Sequence, residues 1–115
     1  MLFRSILTAA VTPASASGVS TETLAALPAL TAANHQFGQA ELHARTGETV
    51  ALRLENADTA GHSFDIDELG LHVSMPPGEP ALALFTAGAP GTYTFYCGVP
   101  GHREAGMVGT LIVEP

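Results

Sequence analysis

Three possible metal ligands at equal spacing most constrain what this chain can fold into. Cys97, His102 and Met107 stand five residues apart near the C-terminus. The residues before Cys97 and after Met107 have the pattern of strands, so the loop that carries His102 brings all three to one end of a β-structure. Cys97 is the one cysteine of the chain, which excludes an internal disulfide and a binuclear site bridged by two cysteines.

A second histidine completes the set of ligands. His62 lies upstream, directly after a predicted loop. One thiolate, two imidazoles and one thioether are soft donors that select copper, and a Cys-His-His site with a weak axial methionine is typical of blue-copper electron-transfer centres. The sequence therefore predicts one type 1 copper ion bound by His62, Cys97, His102 and Met107. Zinc in the same ligands is the alternative, and the methionine argues against it.

The other three histidines lack neighbours of this kind. We interpret His35, His43 and His72 as ordinary surface or strand residues. His72 is the candidate to replace His62 if His62 is not a ligand.

The charge balance excludes some classes of partner. The net charge is −7, with four Lys and Arg residues in total. Nucleic-acid binding calls for a basic face, so we exclude it. Asp65, Asp67 and Glu68 form a small acidic cluster, which we interpret as a solvated face rather than a calcium site. We expect no transmembrane segment, because no apolar run approaches the ~20 residues that span a bilayer.

Short alternating runs separated by Gly and Pro turns predict the fold class. Apolar Val50, Leu52 and Leu54 alternate with other residues, which predicts a half-buried strand over 49–55. Further strands are predicted at 81–86, 92–97 and 108–113, with a loop at 98–106. Strands at such intervals are typical of an all-β protein, here an antiparallel β-sandwich.

The N-terminal part is predicted to be separate, with residues 1–34 as a signal-like or disordered segment and 35–115 as the folded domain. The basic start and the small residues at 14–16 are compatible with a signal peptide. The Ala, Ser, Thr, Pro and Gly content of 8–20 also suits a disordered arm or the linker of a longer protein. A short helix is expected within 21–27, ended by Pro28.

Several motifs near the predicted ligands also match a known family. They are Gly91-x-Tyr93-x-Phe95-x-Cys97, Pro100-Gly101-His102, Gly106-Met107-x-Gly109-x-Leu111-x-Val113, Leu54-x-Asn56-x-Asp58 and His62-Ser63-Phe64. In these motifs the chain resembles the cupredoxins, the small blue-copper proteins, over about residues 37–115. The equal gaps around His102 resemble rusticyanin and sulfocyanin more than plastocyanin. The first predicted strand, at 37–42, departs from the family pattern.

The resemblance implies a Greek-key sandwich and a role for each site residue. His62 and His102 would each bind copper through a ring nitrogen, and Cys97 would bind as the thiolate that gives the blue band. Met107 would be the long axial ligand. The backbone amide of Ser63 would donate a hydrogen bond to the cysteine sulfur, a contact that tunes the reduction potential.

These expectations together favour a one-electron carrier, not an enzyme, that works as a monomer outside the cytoplasm. Redox partner proteins would dock on an apolar patch around His102, formed by Val99, Pro100 and Ala105 with Pro76. Two alternatives stay open. In the first, the chain is the cupredoxin domain of a larger copper oxidase or reductase. In the second, it is a copper-handling protein.

Overall fold

The computed structural model describes residues 20–115, which fold into two β-sheets with one short α-helix and one 3-10 turn. The predicted signal peptide or arm within residues 1–19 lies outside this range. In chain order the elements are α1 (Thr21–Ala25), β1 (Ala29–Ala33), β2 (Gln36–Phe37), β3 (Glu41–Arg45), β4 (Thr49–Asn56), β5 (His62–Ile66), the 3-10 turn (Asp67–Leu69), β6 (Leu71–Met75), β7 (Ala81–Thr86), β8 (Gly91–Tyr96) and β9 (Val108–Glu114).

The strands form one sheet in the order β2-β1-β4-β7 and another in the order β3-β9-β8-β5-β6. The predicted β-sandwich is confirmed. The pairing differs from the antiparallel prediction at two places, because β1 pairs with β4 and β3 with β9 in parallel. The partners in these pairs are distant in sequence and no tight turn joins them, so nothing forces an antiparallel arrangement.

The core lies between the two sheets and follows from the alternation along the strands. In β6 the odd positions Leu71, Val73 and Met75 are buried while the residues between them are exposed. Phe64 and Phe95 lie at the centre, fully buried, with their ring centroids 5.3 Å apart. Burial of a side chain of this size contributes about 1.5–3 kcal/mol. Cys97 and Met107 belong to the same buried cluster, so the predicted ligands sit at one end of the core.

The N-terminal helix and the first strand belong to this fold, although the sequence places the domain boundary at residue 35. The Ser20 hydroxyl accepts the Thr23 backbone N–H at 3.1 Å and so caps α1, which ends before Pro28 as predicted. β1 pairs with β4, and its Leu30 is almost fully buried. Alanine and threonine dominate β1, and this composition gives a weak strand signal. Among the described residues, no helix has the length and apolar character that a membrane crossing requires.

Most predicted strands are observed at their predicted positions, and one is divided. β4, β7, β8 and β9 fall within one residue of the predicted bounds. The single strand predicted over 37–42 is instead the end of β2 and the start of β3. After β2 the Gly38 backbone N–H still donates to the Thr31 carbonyl of β1 at 2.7 Å, and the chain joins the other sheet only at Glu41.

Candidate metal centre

The sheet order brings the predicted ligands to one end of the sandwich. His62 is the first residue of β5, Cys97 directly follows β8, and Met107 directly precedes β9. β8 lies between β5 and β9 and is antiparallel to both. Tyr96 at the end of β8 pairs with Val108 at the start of β9 and with Asp65 of β5. The chain that continues beyond β8 therefore runs along β5 towards His62. The loop between Cys97 and Met107 carries His102.

Three possible ligand atoms converge at this end. The Nδ1 atoms of His62 and His102 are 3.1 Å apart. The Cys97 Sγ lies 3.8 Å from Nδ1 of His62 and 3.5 Å from Nδ1 of His102. Within residues 20–115 these residues make the one group of three His, Cys, Asp or Glu side chains that could hold a metal ion. A thiol and two imidazole nitrogens in mutual contact, two of the three residues being buried, match the donor set that copper prefers.

The ring of His62 is held on its other side by a carboxylate. Its Nε2 lies 2.7 Å from Oδ2 of Asp58, and the His62 side chain has no exposed surface. If Nε2 carries the proton and donates to Asp58, Nδ1 has a free lone pair. This lone pair can bind a metal ion together with Cys97 and His102. Hydrogen bonds from the His35 N–H, the His62 ring and the Asn34 N–H lower the pKa of the Asp58 carboxyl to about 2.

The ligand loop is closed by backbone hydrogen bonds. The Cys97 N–H donates to the Met107 carbonyl, and the Met107 N–H donates to the His102 carbonyl, each at 3.1 Å. Gly106, with φ of 108°, makes the turn between them in a region that side chains rarely adopt. Met107 is fully buried beside Cys97 in the core cluster. These backbone hydrogen bonds tie Cys97, His102 and Met107 to one another.

Ser63 contacts the loop through its side chain. Its hydroxyl accepts the Gly98 backbone N–H at 2.7 Å. A Cβ at Gly98 would come within 2.5 Å of Oδ2 of Asp65 and 3.3 Å of the Ser63 hydroxyl. A larger residue directly after Cys97 would therefore require the Asp65 carboxylate to move. The predicted bond from the Ser63 amide to sulfur remains a prediction.

His35 lies at the edge of this site, although the sequence analysis interpreted it as an ordinary residue. Its ring centroid is 4.7 Å from that of His102 and 5.5 Å from that of His62, edge to face in both cases. Burial lowers the pKa of His102, and the neighbouring His35 and His62 lower it further. No spacing signal links His35 to the ligands, because its position depends on the hairpin of β1 and β2.

The other two histidines lie outside the ligand group. His72, the candidate to replace His62, is on β6, exposed, with Nδ1 3.3 Å from Oδ2 of Asp65. His43 on β3 contacts Glu41 at 2.9 Å.

The acidic cluster divides into two parts. Asp67 and Glu68 are exposed, as predicted for a solvated face. Asp65 is buried, and its Oδ1 has no hydrogen-bond partner among the described residues. The prediction is therefore wrong for Asp65, because β5 turns this side chain towards Gly98 rather than towards solvent.

Comparison with known proteins identifies the family. The sequence matches the cupredoxin-like domain over residues 4–113. The chain belongs to the cupredoxin-like family. It is 40% identical over 85 residues to a plastocyanin of Prochlorothrix hollandica, and this alignment covers 58% of the chain and 62% of the plastocyanin. The chain thus spans less than two thirds of that relative.

Solved structures agree on the fold. A reduced auracyanin from Roseiflexus castenholzii has a TM-score of 0.69 at 24% identity, covering 76% of this chain and 95% of the other. A copper nitrite reductase from Nitrosomonas europaea has a TM-score of 0.67 at 26% identity, covering 76% of this chain and 41% of the reductase. His62, Cys97 and His102 are arranged as in a type 1 copper site. The finer likeness to rusticyanin and sulfocyanin is not confirmed by these relatives.

Proposed function

We propose that this protein is a one-electron carrier that binds a single copper ion through His62, Cys97 and His102, with Met107 as the axial ligand. The observation that carries the proposal is the convergence of one sulfur and two Nδ1 atoms within 4.8 Å of one another. The bound copper ion would supply the redox chemistry by alternating between Cu(II) and Cu(I). The donor set favours copper over zinc, because a buried methionine is a poor fourth ligand for zinc.

The chain itself would keep the ligand positions nearly constant during electron transfer. His62, Cys97 and Met107 lie at the ends of paired strands and are each at most 3% exposed. Close-packed interiors resist displacement of their side chains. Little movement between the two oxidation states means a small reorganisation, which fast electron transfer requires.

Electrons would enter and leave through the ring of His102. His102 is half-buried, whereas His62 and Cys97 are buried. We propose a docking patch around the His102 ring, formed by Val99, Pro100 and Ala105 with Pro76. Pro100 and Ala105 are exposed. A small apolar patch suits brief contacts with redox partner proteins, since weak redox complexes have small interfaces. We propose that the carrier acts as a monomer.

A location outside the cytoplasm is part of this proposal. The small residues at 14–16 are compatible with cleavage of a signal peptide. Proteins of the family that the motifs resemble are commonly exported from the cytoplasm. N-terminal sequencing of the mature protein from fractionated cells tests it. A protein that keeps Met1 and stays in the cytoplasm would contradict it.

One observation favours a second candidate, a cupredoxin domain that serves a larger copper enzyme. The similar nitrite reductase is a longer chain, of which the alignment covers 41%. We propose that this chain has no turnover by itself, since its described residues offer one group of possible metal ligands. Consumption of nitrite or oxygen by the purified, copper-loaded protein would favour the enzyme.

A visible absorption spectrum with added Cu(II) tests the proposed function. We expect an intense band at about 600 nm from the Cys97 thiolate, and its loss in the Cys97→Ser variant. The same variant keeps the size of the side chain and should retain the fold, which circular dichroism checks. A wild-type protein without this band, or one that prefers zinc, would contradict the proposal.

A further inference from the structure

The carboxylate of Asp58 collects three hydrogen bonds beside the copper ligands. Oδ2 accepts the His62 Nε2–H at 2.7 Å and the His35 backbone N–H at 3.1 Å. Oδ1 accepts the Asn34 backbone N–H at 2.8 Å. The Asp58 side chain is only 16% exposed. Hydrogen bonds to an ionised carboxylate are about twice as strong as those between neutral groups, so this cluster is well defined.

The chain holds Asp58 in place from behind. Its backbone N–H donates to Oδ1 of Asn56 at 2.9 Å, a local turn that Asn side chains favour. Asn56 is buried, and its Nδ2 donates to the carbonyls of Ala60 and Met75 at 2.8 Å each. The loop that leads to His62 is therefore fixed at both ends.

Asp58 also stabilises a turn that brings a third histidine to the site. Asn34 and His35 connect β1 and β2 and have φ of 55° and 58°. Positive φ at both central positions is the geometry of a tight hairpin turn, which non-glycine residues adopt uncommonly, although Asn and His do so more often than most. The two backbone N–H groups of this turn point to Asp58, and the His35 ring lies against His102.

We propose that Asp58 is a positioning residue of the copper centre, which orients His62 through Nε2 and holds the His35 turn against His102. The inference rests on the proposed function, because it requires copper bound to both histidines. A carboxylate behind a ligand histidine fixes the orientation of the ring and raises its basicity. The nearby negative charge favours Cu(II) over Cu(I), so Asp58 lowers the reduction potential.

The Asp58→Asn variant tests this role. An Asn side chain has one carbonyl oxygen and one NH₂ group, so it cannot accept from His62 and from both backbone N–H groups. We expect a higher reduction potential than in the wild type and a 10–100-fold loss of Cu(II) affinity, measured by chelator competition. Glu104→Gln is the matched control, because it removes the same charge from an exposed position of the ligand loop. Its potential should shift less than that of Asp58→Asn.

The wild-type protein gives a second test that does not depend on a variant that folds. In the diamagnetic Cu(I) state, the Nε2–H of His62 should give an NMR signal that exchanges slowly with water. The ring N–H of exposed His43 serves as the fast-exchanging reference. A His62 Nε2–H that exchanges as fast as that of His43 would overturn the inference.

The outcomes also separate this inference from the proposed function. A blue wild-type protein, together with an Asp58→Asn variant of unchanged affinity whose potential shifts no more than that of Glu104→Gln, would overturn the role of Asp58 alone. A wild-type protein that never turns blue would overturn both.

Discussion

The two histidines of the site are held in different ways. His62 begins a strand, has no exposed side-chain surface, and has its outer ring nitrogen bonded to Asp58. His102 lies in a loop, is half-buried, and has the ring of His35 as its neighbour. Both present Nδ1 to the same sulfur. The same ligand atom is thus offered by a rigid element on one side and by a partly open loop on the other.

This difference indicates that the two histidines have different roles in the site. A buried, bonded ring fixes the geometry of the site but offers no route to a partner. A half-exposed ring can conduct electrons to a docked protein, and its position depends on the backbone bonds of its loop. We therefore expect the His62 side, meaning His62 and its hydrogen bond to Asp58, to control the copper affinity and the reduction potential. We expect the His102 side, meaning the half-exposed His102 and its loop, to control the access of partner proteins to the site.

The largest effect should come from replacing each histidine by glycine. Both variants should lose copper affinity by more than the 10–100-fold that the loss of an outer partner costs. Only His102→Gly should recover the blue band with added imidazole, because its cavity opens to solvent. The His62→Gly cavity is closed behind Asp58. Absorption titrations with imidazole measure both, and equal recovery would contradict this difference in roles.

A smaller effect is expected at the proposed axial ligand, Met107, which is fully buried like the His62 ring and unlike that of His102. Met107→Leu should shift the Cu(I)/Cu(II) equilibrium about tenfold towards Cu(I), a rise of about 59 mV for one electron, while the blue colour remains. Met75→Leu is the control for the loss of a buried thioether, since Met75 is almost fully buried on β6, pairs with His62 and is not a predicted ligand. Redox titration measures both, and an unchanged potential in Met107→Leu would show that Met107 is not axial.

The smallest effects concern pH and separate the two sides in the metal-free protein. Asp58 has a folded pKa of about 2 against 3.8, and the pKa of His102 is lowered from 6.5. In the folded protein both groups bind fewer protons than in the unfolded chain. The free energy of unfolding therefore rises with pH between the folded and the unfolded pKa of each group. Stability from Asp58 is complete above pH 3.8 and is lost as the pH falls towards about 2.

Urea denaturation at a series of pH values across both ranges tests this prediction by measuring the free energy of unfolding. Asp58→Asn should remove the rise at acidic pH, and His102→Gln the rise just below pH 6.5. An acidic rise that persists in Asp58→Asn would mean that other carboxylates cause it.

Much of the fold follows from local patterns, and the rest depends on distant partners. The bounds of β4 and β7 could be predicted because alternation and Gly/Pro turns are local signals. β1 could not, since alanine is a weak strand former and this strand depends on pairing with the distant β4. The parallel pairing of β3 with β9 joins strands from opposite ends of the domain, and no local pattern encodes it.

The site divides in the same manner. Cys97 and His102 could be predicted because a fixed spacing places them in one loop. Asp58 lies within the motif Leu54-x-Asn56-x-Asp58. Nothing in this motif indicates that its carboxylate accepts a hydrogen bond from the His62 ring. His35 reaches the site through a hairpin that the sequence does not predict. Asp65 illustrates the opposite error, because an acidic run suggests solvent while the strand turns this residue inward.

A reductive titration of the copper-loaded protein, followed at the blue band, tests the central claim most directly. For a one-electron carrier we expect one electron equivalent to bleach the band, an oxidant to restore it fully, and repeated cycles to release no copper to a chelator. A band that needs a different number of electrons, fails to return, or is lost together with the metal would contradict an electron carrier.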